Sequence, residues 1–556
     1  MPILKILSTK GSGKRKGWTV FAFFILTLFF ACSIAPRPGE KPPAGLVVLH
    51  TNDHHGHPVK FFQYPVPDVG GLPARATLIH RIKEENRAVL VLDAGDLNTG
   101  RPESNFFKAR PDIEGYNAIG YDAAVLGNHE FDQPRKVLLE QMALARFPFL
   151  SANIRTGEGE LLARPYVVKD FETFKVAIFG LTTKSTEAVG NPAHIKDLIF
   201  EDEIEAAKKI VPLLKKQADI IIALVHMGIF PSPRKGAKRL ASEVEGIDLI
   251  VDGHSHTRME TPVFVKNRWS GRKVPIVQAW KWGLVLGRVD LLIQRKKITN
   301  LSFRAIPINL KRVEKGADGK KIFHPVGDPI SEDPDLVNLL QPYVEKVNAS
   351  LSEVIGRAQG TFPHEGSRKR ETALGDLIAD AMLWSTGDLD VDLALQNGGG
   401  IRSGLPAGPI TKKTIHEILP FDNSVMVLTL KGSELLSLFE HIGKVPIGSG
   451  AFPQVSRGVS FTLDSKSREC RNVRIHGEPI DPDRFYKVAT NSYLANGGDG
   501  YGIFLEAVDR YDTSRFQRDV LIEYIKSLGM NLKPKVHGRL EISRTGKGLF
   551  LLKRAA

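Results

Sequence analysis

The sequence predicts an α/β (α+β) protein made of a larger layered domain, a connecting helix and a smaller mixed α/β domain. Three features carry that prediction. From Gly45 to about Ile308, short apolar runs alternate with helical-looking stretches. One amphipathic segment follows, and beyond it strands and helices resume in mixed order. At 556 residues the chain exceeds one ordinary domain.

Composition narrows the function classes. Hydrophobic residues at 42% and charged residues at 25% exclude a disordered chain and a polytopic membrane protein. The formal charge of +14 invites a nucleic-acid reading, yet part of it sits on Lys5, Lys10, Lys14, Arg15 and Lys16. The remainder is dispersed, with small clusters at Arg368 to Arg370 and in a basic tail, 546–556, carrying Lys547, Lys553 and Arg554. No basic stripe interleaved with aromatics is present, so a small anionic substrate is expected and no nucleic-acid polymer.

The first 32 residues read as an export signal. Basic residues precede the apolar run "WTVFAFFILTLFFAC", Trp18 to Cys32, which is short of the roughly 20 residues that span a bilayer. A Pro/Gly-rich linker, 33–44, follows. Ala31-Cys32 resembles a bacterial lipoprotein cleavage site, which makes Cys32 a lipidation candidate, although Phe29 and Phe30 are bulkier than that pattern favours. The expectation is a monomeric periplasmic or cell-envelope protein that meets the membrane only through its N-terminal signal or lipid anchor. The other cysteine, Cys470, is expected to be structurally incidental.

In the first domain, 45–331, the apolar runs are "LVVLHT", "AVLVLD", "DAAVLG", "FKVAIFG", "DIIIALVH" and "IDLIVDG". Strands this continuously apolar are buried on both faces. The segment 332–356 places Leu336, Leu339, Leu340, Tyr343, Val344 and Val347 at helical spacing between Asp333-Pro334 and Gly356, which predicts one linker helix. In 357–545, helices are expected in "TALGDLIADAMLWSTG" and "GSELLSLFEHI". Strands are expected in "DLALQNGGG", "SVMVLTL", "GVSFTL", "RNVRIHG" and "FYKVATN".

Five of the buried strands run into metal-binding residues: "TNDHHGH", "DAGD", "GNHE", "HMG" and "DGHSH". In open α/β sheets ligands collect beyond the carboxyl ends of the strands, so these tips can converge. Asp53 and His55, two apart in an extended segment, would project to one side while His54 faces the other. His254 and His256 repeat that spacing, and Asp96, Asn128 and His226 each add one donor. Two carboxylates, four imidazoles and one amide oxygen exceed the needs of one ion. They suit two divalent ions, Zn, Mn or similar, sharing a carboxylate. Two such ions against two aspartates leave about +2, which a phosphate ester would fill.

The motifs "TNDHHGH", "GGLPARATLI", "DAGD", "IGYDAAVLGNHEFD", "HMG", "DGHSHT" and "IVQAW" resemble the calcineurin-like metallophosphoesterase domain of 5′-nucleotidases and UDP-sugar hydrolases. "RETALGDLIADAM", "QNGGGIRSG", "ILPFDN" and "NSYLANGGDGY" resemble their C-terminal nucleotide-binding domain. The resemblance covers nearly the whole mature chain. It implies a four-layer αββα sandwich followed by a nucleotide-binding domain. It also implies a dinuclear site in which Asp53, His55, Asp96 and His256 hold one ion and Asp96, Asn128, His226 and His254 the other.

The same resemblance makes His129 and Asp132 the catalytic pair; Glu130 is left without a chemical role and is expected to be the structural member of the set, behind the residues that touch the ions. It assigns Phe421 and Tyr493 to stacking on the base, Asp499 to the ribose hydroxyls, and Arg368, Asn397 and Arg402 to the phosphates. Tyr493 stands where many relatives have Phe. The activity implied is hydrolysis of 5′-nucleotides to nucleoside and phosphate outside the cytoplasm, with nucleotide sugars as further substrates. The rival readings are a UDP-sugar diphosphatase, a 2′,3′-cyclic nucleotide phosphodiesterase, a thiosulfate-releasing hydrolase and a non-catalytic nucleotide-binding lipoprotein. The substrate would bridge both domains, so closure about 332–356 is a further expectation.

Overall fold

The computed structural model describes residues 44–63, 66–316, 321–529 and 531–543. The export segment, Cys32 and the basic tail lie outside the described residues. Among those described, no helix is long and apolar enough to cross a membrane.

The apolar runs become the inner strands of two six-stranded sheets. The first sheet takes β1 (Ala44–Thr51), β2 (Val89–Asp93), β3 (Ala123–Val125) and β4 (Phe149–Leu150). The second takes β5 (Tyr166–Phe171), β6 (Phe174–Thr182), β7 (Ile220–His226), β8 (Leu249–Asp252), β9 (Val263–Lys266) and β10 (Lys273–Val277). The chain then returns to the first sheet as the hairpin β11 (Val285–Gln294) and β12 (Lys297–Pro307), giving the orders β12-β11-β1-β2-β3-β4 and β9-β10-β8-β7-β6-β5.

Alternation along each strand explains why both sheets are apolar throughout. In β1, Leu46 and Val48 pack into the layer between the sheets, where they meet Ile178, Ile222 and Leu224. Val47 and Leu49 face outward onto the helix Leu72–Glu85 and its neighbours. In β7, Ile221, Ala223 and Val225 pack beneath the helices Glu203–Leu214 and Gly236–Glu243. The result is the expected αββα sandwich. The β1, β2 and β3 strands are parallel, as are β6, β7 and β8, so each sheet presents its ligand-bearing carboxyl ends at one edge.

The connecting helix spans Pro334–Leu351, not the full 332–356 segment. Asp333 caps it, accepting from the backbone N–H of Asp335 and Leu336, and Pro334 takes the first turn. It stops early because Val354 and Ile355 belong to a strand, Val354–Ala358, that pairs with Gly408–Thr411 and carries Gly356 in its middle. Leu336 and Leu340 pack into the helix-side core of the first domain. The helix is therefore part of that domain's wall as well as its exit.

The C-terminal domain centres on a mixed five-stranded sheet in the order 453–455, 393–397, 485–491, 424–431, 509–516. The helices Ala373–Ser385 and Gly432–Lys444 pack on it, as their apolar spacing predicts. Cys470 is partly buried, and burial pushes its thiol up to about 12, consistent with an unreactive side chain.

Because Leu336 is 3% exposed in the first domain's core, Leu336→Ala should cost about 3 kcal/mol in urea unfolding of that domain. An unchanged midpoint and slope would mean that the helix is only a tether.

Candidate metal centre

The five strand tips meet. Asp53, His55 and His256 offer ligand atoms within 4.8 Å of one another, and so do Asp96, His226 and His254. His55 Nε2 lies 3.9 Å from both Asp53 and Asp96 carboxylates, joining the two groups. Asn128 Oδ1 lies 2.8 Å from His254 Nδ1 and 3.2 Å from His226 Nε2, completing the second group. All seven predicted donors are within one cluster.

The backbone reaches this arrangement differently from the extended segment expected. Asp53, His55, Asp96, His254 and His256 all have positive φ, between 47° and 74°. Such left-handed conformations cost about 1 kcal/mol each outside glycine, and Asp and His tolerate them better than bulky residues. The outcome is still that Asp53 and His55 share one direction. His54 turns away to Asp112, 2.9 Å, and Arg75, 3.2 Å. Two glycines explain the tight convergence. A Cβ on Gly127 would sit 2.3 Å from Asp96 Oδ1, and one on Gly253 would sit 2.8 Å from His226 Nδ1.

The donor chemistry fits divalent cations. His226 Nδ1 lies 2.7 Å from the Ala94 carbonyl and His55 Nδ1 lies 3.1 Å from that of Asn98, so each ring gives its Nδ1–H to the backbone. That leaves the Nε2 lone pair of His226 facing the Asp96 carboxylate at 3.1 Å and the Asn128 amide oxygen. Acceptors face acceptors there, an arrangement that a positive charge between them resolves. Burial holds His55, His254 and His256 neutral, His254 near about 4. Burial opposes charge on His226, yet the Asp96 carboxylate outweighs it and raises the pKa to about 10, so a proton on Nε2 competes with a metal ion for this point.

His129 stands beside the cluster. Its Nδ1 is 2.7 Å from Asp132 Oδ2, its backbone N–H donates to Asp96 Oδ1, and its ring lies 4.9 Å from that of His55. Burial lowers the basicity of His129, but Asp132 and Asp96 outweigh it and raise the pKa. The helix that follows starts at Arg135, with Pro134 at its cap position, which leaves the Asp132 carboxylate to His129.

The C-terminal domain contributes Arg402, whose guanidinium nitrogen lies 3.4 Å from His55 Nδ1 and whose carbon lies 5.7 Å over the Phe421 ring. Phe421 in turn stacks on His129 at 6.0 Å. Behind them, Tyr493 Oη donates to one oxygen of Asp499 and Asn397 Nδ2 donates to the other. Asn397 thus donates to Asp499, while its amide oxygen accepts from Asn491 and Gln396. The extra hydroxyl of Tyr493 positions Asp499. Arg368 completes the group and feels the Asp499 charge.

Residues 46–258 match the calcineurin-like phosphoesterase family, and residues 354–506 match the C-terminal domain of 5′-nucleotidases. The chain is 35% identical over 541 residues to the protein UshA of Yersinia enterocolitica, covering 91% of this chain and 96% of that one. The chain belongs to the 5′-nucleotidase family. A 5′-nucleotidase of Vibrio cholerae is 36% identical over 542 residues, covering 92% and 95% of the two chains. Among solved structures, the 5′-nucleotidase precursor from Thermus thermophilus is similar, with a TM-score of 0.79 and 32% identity over 90% of this chain and 99% of that one. Members of this family work with a dinuclear divalent metal centre, as the donor set here requires.

Two residues support the site in ways the sequence did not show: how Glu130 acts, and that Asn52 takes part at all. Glu130 accepts four backbone N–H groups, those of Gly127, Asp96, Leu97 and Asn98, at 2.6 to 3.1 Å. Burial and the Asp96 charge push its pKa up to about 7, while four converging donors need its lone pairs and favour the ionised form. Asn52 donates to Asp53 at 2.6 Å and accepts from Ala279, pinning the first ligand loop to the segment after β10. The only sequence signal for either was proximity to the motif.

Glu130→Gln replaces acceptors with an amide that cannot receive all four N–H groups. It should weaken metal binding by about 10- to 100-fold in a competitive chelator titration while the fold persists. Unchanged affinity would show that the 96–98 loop holds its shape without it.

Proposed function

We propose that this chain hydrolyses 5′-nucleotides to nucleoside and phosphate at a centre of two divalent cations, and that it does so outside the cytoplasm. The observation that carries the reading is the convergence of seven donors from five strand tips upon a point that Arg402, from the other domain, approaches to within 3.4 Å of His55.

Asp53, His55, Asp96 and His256 would hold one cation, and Asp96, Asn128, His226 and His254 the other. Nitrogen and oxygen donors without thiolate suit Zn, Mn or a similar metal. Two such cations supply Lewis-acid polarisation of phosphoryl oxygens and activation of water. With Nδ1 held by Asp132, His129 is left with Nε2 to donate a hydrogen bond to the charge that grows on the non-bridging oxygens. Arg402 and Arg368 bind phosphate oxygens through their planar forks. Phe421 and Tyr493 stack on the base. Asp499, fixed by Tyr493 and Asn397, keeps lone pairs for the ribose hydroxyls.

Metal-reconstituted protein should release phosphate from AMP and lose that activity on chelation. UDP-glucose, ATP, a 2′,3′-cyclic nucleotide and p-nitrophenyl phosphate serve as comparison substrates. Faster turnover of UDP-glucose than of AMP would move the reading to a nucleotide-sugar diphosphatase. His129→Ala should retain both ions and lose about 10²- to 10⁴-fold in kcat, whereas Asn128→Ala should lose metal.

The export and anchoring readings rest on the N-terminal sequence, and monomeric behaviour is part of the same reading. Cells expressing the full chain and fed labelled palmitate should label it, and Cys32→Ser should abolish the label. A secreted but unlabelled wild-type chain would replace the lipid anchor with simple export.

A further inference from the structure

The end of the first domain opposite the metal centre carries charge that the reaction does not use. β1 and β7, of eight and seven residues, end beside the centre, so they begin about 25 Å from it. Contacts tie the loops at this far end into one face. Ala44 pairs with Ile293 beside the β11–β12 hairpin, and Lys296 of that hairpin lies 3.1 Å from Asp219, just before β7. Arg272 of the β9–β10 hairpin lies 2.9 Å from Asp248, just before β8.

The β9–β10 hairpin holds Trp269 at its tip. The buried Asn267 donates to the Ala241 and Val244 carbonyls and accepts from the N–H groups of Trp269 and Ser270, which pins the turn to the end of the helix Gly236–Glu243. The indole N–H donates to the Glu243 carbonyl at 3.2 Å. Even so, Trp269 is 69% exposed, more than any other large hydrophobic side chain among the described residues. One exposed ring needs no explanation by itself, but its surroundings are strongly basic. Lys266, Arg268, Arg272 and Lys273 flank it with no acid in the hairpin, and Lys296 and Lys297 stand on the β11–β12 hairpin. Against them are Asp219, Asp248, Glu243 and Glu245, of which the first three pair with Lys296, Arg272 and Arg268. Lys266, Lys273 and Lys297 are exposed and form no salt bridge among the described residues.

An indole fixed among unpaired lysines suits the headgroup layer of an anionic bilayer, where the ring sits at the polar boundary and each cation meets acidic lipid. The anchoring reading above, on which this inference rests, brings a bilayer within reach. Segment 33–43 separates Cys32 from Ala44, and a chain of that length spans at most about 40 Å. We propose that this end of the first domain docks on an anionic bilayer through Trp269, Lys266, Lys273 and Lys297, and so turns the metal centre away from the lipid. An anionic nucleotide then approaches the centre from solvent and not across a surface that repels it. The competing account is that Trp269 only covers the Glu243 backbone while the lysines keep the domain soluble.

The chain from Pro43 onward, a compact unit of its own, tests the face without the apolar run. It should sediment with vesicles of phosphatidylcholine containing about one-third phosphatidylglycerol, ignore phosphatidylcholine alone, and come off in about 1 M salt. Lys266→Gln with Lys273→Gln should weaken the vesicle Kd about 20- to 30-fold, at about fivefold per cation. Trp269→Ser should weaken it about tenfold, the scale of a partly buried ring. Lys533→Gln with Lys535→Gln removes the same charge from the C-terminal domain and should leave the Kd within about twofold. Phosphate release from AMP should be the same in every variant. No sedimentation with anionic vesicles, equal weakening by both lysine pairs, or full binding by Trp269→Ser would overturn the docking face. Vesicle binding by a chain that takes no palmitate would overturn the anchor and keep the face, and a palmitate label on a chain whose face binds no vesicle would do the reverse.

Discussion

The constraint on which this structure depends is the gathering of lone pairs at one point. The Nε2 atoms of His55 and His226, the carboxylates of Asp53 and Asp96, and the amide oxygen of Asn128 all face each other across about 3 to 4 Å. Acceptors held that close without a proton or cation repel and are desolvated at the same time. The rest of the first domain keeps them from moving apart: parallel strands ending at one edge, left-handed ligand residues, glycines at the crossings and the Glu130 clamp on four backbone N–H groups. Strain of this kind persists where surrounding packing over-determines the loop, and the buried layer between the sheets does that here.

The second domain closes the electrostatics. Arg402 reaches the cluster, and a separate contact fixes the two domains together: Arg101 donates to Glu417 at 2.6 Å, Lys413 pairs with the buried Glu103, and Asn105 donates to the Pro420 carbonyl. These partners are partly desolvated, so their value lies in registry more than in raw stability. The helix Pro334–Leu351, seated on the first domain through Leu336 and Leu340, delivers the chain to the strand Val354–Ala358 that begins the second. The guanidinium therefore arrives from a separately folded scaffold, and the space between becomes a cleft.

The strands, the sandwich and the clustering of the seven candidate donors were legible because their causes are local. Apolar residues at every position of a run imply burial on both faces, and donors placed just past such runs fall at strand ends. Other features depended on partners distant in sequence. The helix ends at Leu351 because Val354 and Ile355 find a strand at Gly408–Thr411. Asn397 holds Asp499 through its amide nitrogen, while Asn491 and Gln396 fix the amide through its oxygen. Glu130 was legible as a structural residue, but not what it holds, because its partners are backbone groups, which no residue pattern displays.

The sequence by itself determined the fold class, the family and which polar side chains gather at the strand tips, since periodicity and motif spacing encode which side chains are buried and which end a strand. Only the tertiary structure decided how those side chains are used. Tautomers and the roles of Glu130 and Tyr493 follow from which atoms oppose which across stretches of chain from a few residues to more than a hundred. Pairwise distance and desolvation set such properties, and neither is a property of a residue type.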